Sequence, residues 1–263
     1  MVKSALKKIY TAMIFIFLYA PIVVLIVFSF NSSKSRANWT GFTFDWYIQL
    51  FKDQQIMTSL YNTIMIALIA SVCATIIGTL AAIGMQDMKK FTKAMVMNIT
   101  YLPVLNPDIV TGISLMLLFI FANKQLGFFT MLLAHITINI PYVILSVLPK
   151  LKQLDVRVYD AALDLGATPM YAFRKVIIPQ IAPGIFTGFL LAFTMSIDDF
   201  VISFFTTGSG VSSLSITIWS MARRGVNPKI NALLSIMFAS VILLLLIVNN
   251  RMSGDGGRKG KIK

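Results

Sequence analysis

Three carboxylates stand where carboxylates are costly. Asp108 is the one charge in residues 94–123, and Asp198 and Asp199 are the only charges in residues 176–206. An Asp at the centre of a bilayer costs about 2.5–3.5 kcal/mol on insertion scales. The apolar runs contain no Lys or Arg at that depth, so none of the three has an intrachain partner there. Chemistry that uses such acids is the attraction of a cation. Asp108 lies about 21 Å past Ala94 along a helix, at 1.5 Å per residue. Pro103 and Pro107 precede it and each removes a backbone donor, which predicts a kink or opening. The carbonyls of Ile99 and Pro103, so freed, join Asp108 as acceptors for ammonium. Asp198 and Asp199 point about 100° apart if the helix continues through them, so the pair is not expected to face one small ligand. Ser196 shares a face with Asp199 more nearly. Aromatic rings hold cationic methylenes, and Tyr19 and Trp46 are the candidates. Each residue also has a structural reading. The acids pair with a basic residue of another subunit or cap a helix end, and Tyr19 is packing.

The elements that must position these residues are membrane helices. Of the 263 residues, 57% are hydrophobic and only 13% are charged, with a mean hydropathy of +0.80. A soluble domain carries roughly 25% charged residues, so a soluble globule and a disordered chain are both excluded. About 20 apolar residues cross a bilayer as a helix. Six such runs predict an all-α polytopic protein with spans at about 9–30, 60–86, 95–122, 126–148, 180–206 and 230–250. The first run is too long for a signal peptide and has no small-residue cleavage site after it. Basic residues favour the cytoplasmic side. With both termini in the cytoplasm, sixteen of the 23 Lys and Arg fall inside and seven outside.

The net charge of +13 suggests nucleic acid only until the basic residues are placed, because they lie between apolar blocks. Lipid is the expected neighbour, including for the basic tail from Gly254 to Lys263. The lone Cys73 excludes an intrachain disulfide and a cysteine-clustered metal site. No metal and no cofactor is expected. His135 has no metal partner at i±4 and reads as a hydrogen-bonded packing residue. Gly184 and Gly188 permit close helix approach, on a face the sequence leaves open.

Two connecting segments are long. Residues 31–59 carry Trp39, Trp46 and Tyr47, either an interfacial aromatic belt or an entrance to a path. Residues 149–179 read as two short helices. Asp155 caps the first and Gly166 ends it in a left-handed turn. Thr168 caps the second, with Pro169 at its first position, and Pro179 begins the next span. Ala161 and Ala162 allow another backbone to approach closely. The alternative is an amphipathic helix lying on lipid.

The run Asp160-Ala161-Ala162, three residues, Gly166, nine residues, then Val176-Ile177-Ile178-Pro179 resembles the EAA signature of ABC importer permeases. It departs by Asp for Glu, Val for Ile and Ile for Leu, each keeping charge sign or apolarity. The stretches YAPIVVLIVFSFNSS, LPVLNPDIVTGISL, FTMSIDDFVISFFTTG and VNPKINALLSI are similar to those of permeases in spermidine/putrescine importers, over nearly the whole chain. The resemblance implies the type I importer permease fold as a single transmembrane domain, 1–263, in the bacterial inner membrane. It implies a coupling segment at 150–179, where Asp160, Ala161, Ala162, Gly166 and Pro179 dock in a cytoplasmic ATPase. It also implies a sister permease, two copies of that ATPase and an extracytoplasmic polyamine-binding protein. The chain is then a transport subunit and not an enzyme. It has no G-x-x-x-x-G-K-[ST] motif with which to hydrolyse ATP. An intramembrane protease would need a Gly-x-Gly-Asp context that is absent. A permease for another small solute, or an oligomeric secondary transporter or channel, are the alternatives; an anion site would want Lys or Arg at depth.

Overall fold

The computed structural model describes residues 2–34, 38–86, 88–225, 228–240 and 242. It is helical, and among the described residues the only β pairing is an isolated bridge between Asn31 and Phe42. The helices are α1 (Val2–Ser29), α2 (Asp45–Lys52), α3 (Gln54–Gly84), α4 (Lys90–Leu105), α5 (Asp108–Phe121) and α6 (Phe128–Lys152). They continue with α7 (Val156–Asp164), α8 (Pro169–Ala172), a π turn (Phe173–Ile177), α9 (Ile178–Asp198), α10 (Val201–Thr206) and α11 (Leu214–Arg223). Residues 228–240 are helical again. Four runs are long and apolar enough to cross a membrane: Leu6–Ser29, Gln54–Gly84, Phe128–Lys152 and Pro169–Asp198. The pair α4 and α5 is a fifth if counted as one broken span. Residues 241 and 243–250 of the expected span 230–250, and the whole tail from Gly254, lie outside the described residues.

Two expected spans differ from the sequence reading. The span expected at 95–122 turns by 105° between α4 and α5. Asn106 is extended there (φ −74°, ψ 143°), as a residue before proline must nearly always be. The span expected at 180–206 ends at Asp198 and restarts at Val201. Pro179 stands in the first turn of α9, although the helical run through it is continuous from Pro169. Its missing N–H leaves the Lys175 carbonyl without a helical donor. The π turn just upstream absorbs that irregularity, with the Ile178 N–H reaching back to the Phe173 carbonyl.

The chain forms two compact units, residues 58–217 and the flanking 1–57 with 218–263. In the first unit, α6 packs along α9. Val143, Ile144, Val147 and Leu151 of α6 bury against Ile181 and Ala192, with Ala74, Ala82 and Met85 alongside. Glycines set the spacing. A Cβ on Gly188 would lie 3.2 Å from Val143 Cα, and one on Gly184 would lie 3.0 Å from the Ser146 carbonyl. The glycine pair therefore faces α6 of its own chain. On the other side, a Cβ on Gly78 would come within 2.8 Å of Val143 Cβ. Val143 is held between two glycines and cannot yield. Gly78→Val is expected to destabilise the fold by about 1–3 kcal/mol, read as a lower midpoint for heat-induced aggregation in detergent. An unchanged midpoint would show that the three helices separate easily.

In the second unit the segment after α1 folds back on itself. The Trp46 Nε1–H donates to the Asn31 carbonyl at 2.7 Å, and Asn31 Oδ1 accepts the Thr40 N–H at 3.0 Å. Phe30, Phe42, Phe44 and Tyr47 stack around this turn. Asp53 and Lys229 form an ion pair at 3.0 Å.

Candidate functional site

The two helix breaks meet at one cavity of about 420 Å³. Pro103, Asp108 and Thr111 line it from the α4–α5 bend, Tyr142 from α6, and Asp198 and Asp199 from the α9–α10 break. All three acids predicted from the sequence thus face one space. Asp198 and Asp199 both reach it because helical geometry stops between them: Asp199 is extended (φ −61°, ψ 127°). The 100° separation of helical neighbours does not apply.

The acids differ in support. Asp108 is the first residue of α5, at the positive end of that helix. Asp199 is held firmly. Its Oδ1 accepts the Ile202 N–H at 3.2 Å and its Oδ2 accepts the Ser203 N–H at 2.7 Å, closing the first turn of α10. Its carbonyl accepts the Ser215 hydroxyl at 2.6 Å. Thr111, one turn past Asp108, has a buried hydroxyl without a protein partner. Tyr142 supplies an aromatic wall suited to cationic methylenes.

The other sequence candidates are elsewhere. Ser196 is 3% exposed and sits behind the cavity wall, bonded to His135 and Asn139. Tyr19 and Trp46 belong to the other compact unit. Tyr19 is stacked on Phe15 of α1, with ring centroids 6.0 Å apart. Trp46 is buried and borders a separate cavity with Lys34, Asp53 and Lys229. Partial burial opposes the charge of Asp53. Its bonds to the Lys229 ammonium and to the Ile56 and Gln55 N–H groups outweigh that and hold its carboxyl below the usual range. The Ile99 carbonyl does not line the acidic cavity. Tyr142 was missed by the sequence reading. The available signal was His135, Asn139 and Tyr142 at i, i+4 and i+7, one face of an otherwise apolar helix.

The segment 150–179 has the expected local chemistry. Asp155 Oδ1 accepts the Arg157 N–H at 3.1 Å and Thr168 accepts the Tyr171 N–H at 3.4 Å, so each caps its helix. Gly166 has φ +86°. Asp160, Ala161 and Gly166 are exposed, and Leu165 is 89% exposed beside Met170 at 60%. Such an apolar surface on a loop fits a protein partner.

The family model described as "Binding-protein-dependent transport system inner membrane component" matches residues 74–252. The chain is 37% identical to the spermidine/putrescine transport system permease protein PotC of Shigella flexneri, over 98% of this chain and 99% of that protein. It is 39% identical to the putrescine transport system permease protein PotI of Escherichia coli strain K12, over 86% and 83%. Among solved structures it is similar to a bacterial ABC transporter involved in the import of the acidic polysaccharide alginate. That likeness has a TM-score of 0.71 at 18% identity and covers 99% of this chain and 96% of the other. An amino acid ABC transporter gives a TM-score of 0.58 at 19% identity, over 80% and 99%. At those identities the structures speak for the fold.

Proposed function

The chain belongs to the family of binding-protein-dependent transport system inner membrane components, and from that premise we propose that it forms half of the translocation path of an ATP-driven polyamine importer. As a member of that family it is an inner-membrane permease and not an enzyme. The observation that carries the cargo is the cavity with three carboxylates at two helix breaks. A polyamine presents ammonium groups along an apolar chain. Asp108, Asp198 and Asp199 receive those groups in turn, and Tyr142 covers the methylenes between. The N–H donors on Asp199 compensate part of its charge independently of cargo, so the carboxylates need not bind a cation tightly to be tolerated. Ser196 supports this wall from behind.

In this reading residues 1–263 are one transmembrane domain with six spans and both ends in the cytoplasm. The segment 150–179 couples to the ATPase, with Asp160, Ala161, Ala162 and Gly166 in the docking helix and turn, and Pro179 in the helix that follows. One chain offers one coupling segment, whereas a dimeric ATPase needs two. The partner is a sister permease, and the assembly holds two ATPase copies and receives a polyamine-binding protein from outside. The almost wholly exposed apolar surface of α1, with Phe17 at 80%, suits lipid and that sister subunit. Affinity purification from membranes is expected to bring down an ATPase and a second, different permease. An active complex containing this chain alone with its ATPase would refute the heterodimer.

A further inference from the structure

His135 lies behind the acidic cavity and is 1% exposed. Its Nδ1 is 3.1 Å from Ser196 Oγ. Its Nε2 is 3.0 Å from Ser203 Oγ and 3.5 Å from Asp199 Oδ2. Asn139 Nδ2 donates to Ser196 Oγ at 2.7 Å. The Asn139 side-chain oxygen has no donor, although the residue is wholly buried. A buried acceptor in that state is unusual and calls for a reason.

Counting hydrogens supplies one. Ser196 has a single hydroxyl hydrogen. While Asn139 donates to its oxygen, Ser196 donates to Nδ1, and the neutral ring carries its proton on Nε2, facing Asp199 and Ser203. Turning the Asn139 amide over creates a second arrangement. Nδ1–H then donates to Ser196, and the Ser196 hydroxyl donates to the Asn139 oxygen that had no partner. A neutral ring in this arrangement would aim an Nε2 lone pair at the Asp199 carboxylate, which is repulsive. An imidazolium donates from both nitrogens, Nδ1–H to Ser196 and Nε2–H toward Asp199, and so removes that repulsion. Asp199 is the charged group facing the ring. Asn139, Ser196 and Ser203, from α6, α9 and α10, carry no charge, nor does Phe119 of α5, which packs against the neighbouring Ala134. Asp108 and Asp198 share only the cavity beyond Asp199.

We propose that His135 is a positioning residue for the cation cavity: its neutral ring aims the Asp199 carboxylate, and its imidazolium occupies that carboxylate in place of a cargo ammonium. The proton comes from water and binds Nδ1, which then donates to Ser196 Oγ, and the Asn139 amide turns so that its oxygen accepts the Ser196 hydroxyl. Cargo and proton then compete for one site. This rests on the reading of the cavity as a cation path.

The test uses the assembled importer in vesicles with equal pH on both sides. Initial uptake of radiolabelled spermidine is followed across about pH 5 to 8, where histidine titrates. The other subunits are identical in every sample, so their own pH dependence cancels in the ratio of variant to wild type. H135Q keeps a donor but cannot become a cation. The ratio of H135Q to wild-type uptake is expected to rise by about tenfold from the alkaline to the acidic end, since one competing proton changes occupancy up to tenfold per pH unit. H135F, which cannot aim Asp199, is expected to lower uptake about fivefold at every pH, with H135Q restoring most of it. Parallel pH profiles of wild type and H135Q would overturn the proposal. Should H135F fail to accumulate, the H135Q profile decides. Asp199→Asn separates the two ideas. If it transports normally, Asp199 takes no part in a cation path and the proposal falls with that part of the site. If it is impaired while the H135Q and wild-type profiles run parallel, only the role of His135 is wrong.

Discussion

Asp108→Asn lowers radiolabelled spermidine and putrescine uptake by at least about tenfold, the loss of one hydrogen bond to a charged group, at unchanged membrane abundance and unchanged association with the ATPase. Asn keeps the size of the side chain and its ability to accept hydrogen bonds. It removes the charge that an ammonium would meet. The Asp108 side chain makes no ion pair with any described residue, and as the first residue of α5 it does not interrupt a helix. A purely structural role would therefore survive the change in large part. Asp198→Asn is expected to act in the same way. Asp199→Asn is expected to do more, because its carboxylate also receives the Ile202 and Ser203 N–H groups that start α10. One amide oxygen can replace only part of that. Full uptake in all three variants would remove the cation path and leave the permease assignment standing.

Gly166→Val uncouples transport without unfolding the chain. Gly166 sits at φ +86°, and a Cβ built there meets nothing within 4 Å. The cost is confined to the backbone, about 1–2 kcal/mol for a left-handed residue with a side chain, and more for a β-branched one. The turn between α7 and α8 is the part that gives way. Uptake is expected to fall about tenfold, the change in turn population that such an energy produces, with normal insertion. Gly166→Asn, which tolerates the left-handed region, should recover a good part of it. Normal uptake in Gly166→Val would remove this loop as the coupling element.

What the sequence revealed depended on how far apart the relevant residues lie. Spans and caps are local. A run of apolar residues, or Asp155 two residues before Arg157, carries its own meaning. The bend at Asn106 was foreshadowed by Pro103 and Pro107 for the same reason. The cavity was not legible, because it needs two breaks in different helices to meet. Nothing near Asp198 marks a stop: no proline or glycine stands between Pro183 and Gly208 other than Gly184 and Gly188. The helix ends there because Asp199 caps a new one. Likewise His135 read as packing since its partners lie 61 and 68 residues away. Trp46 read as either an interfacial ring or one facing a path, because its bond to Asn31 exists only after the loop has closed.

The unbroken run from Pro169 to Asp198 has a mechanical consequence. Its 30 residues make a rod of about 45 Å at 1.5 Å per residue. One end is Thr168, beside the exposed coupling turn, and the other is a carboxylate of the cargo cavity. Gly184 and Gly188 seat the rod's middle against α6, while the π turn at Phe173–Ile177 and Pro179 mark the place near Thr168 where it can bend. A displacement applied at the Thr168 end would divide between bending at that turn and movement of the helix that carries Asp198. A second break, at Asp199 and Phe200, lies past the rod's other end and beside the acidic cavity.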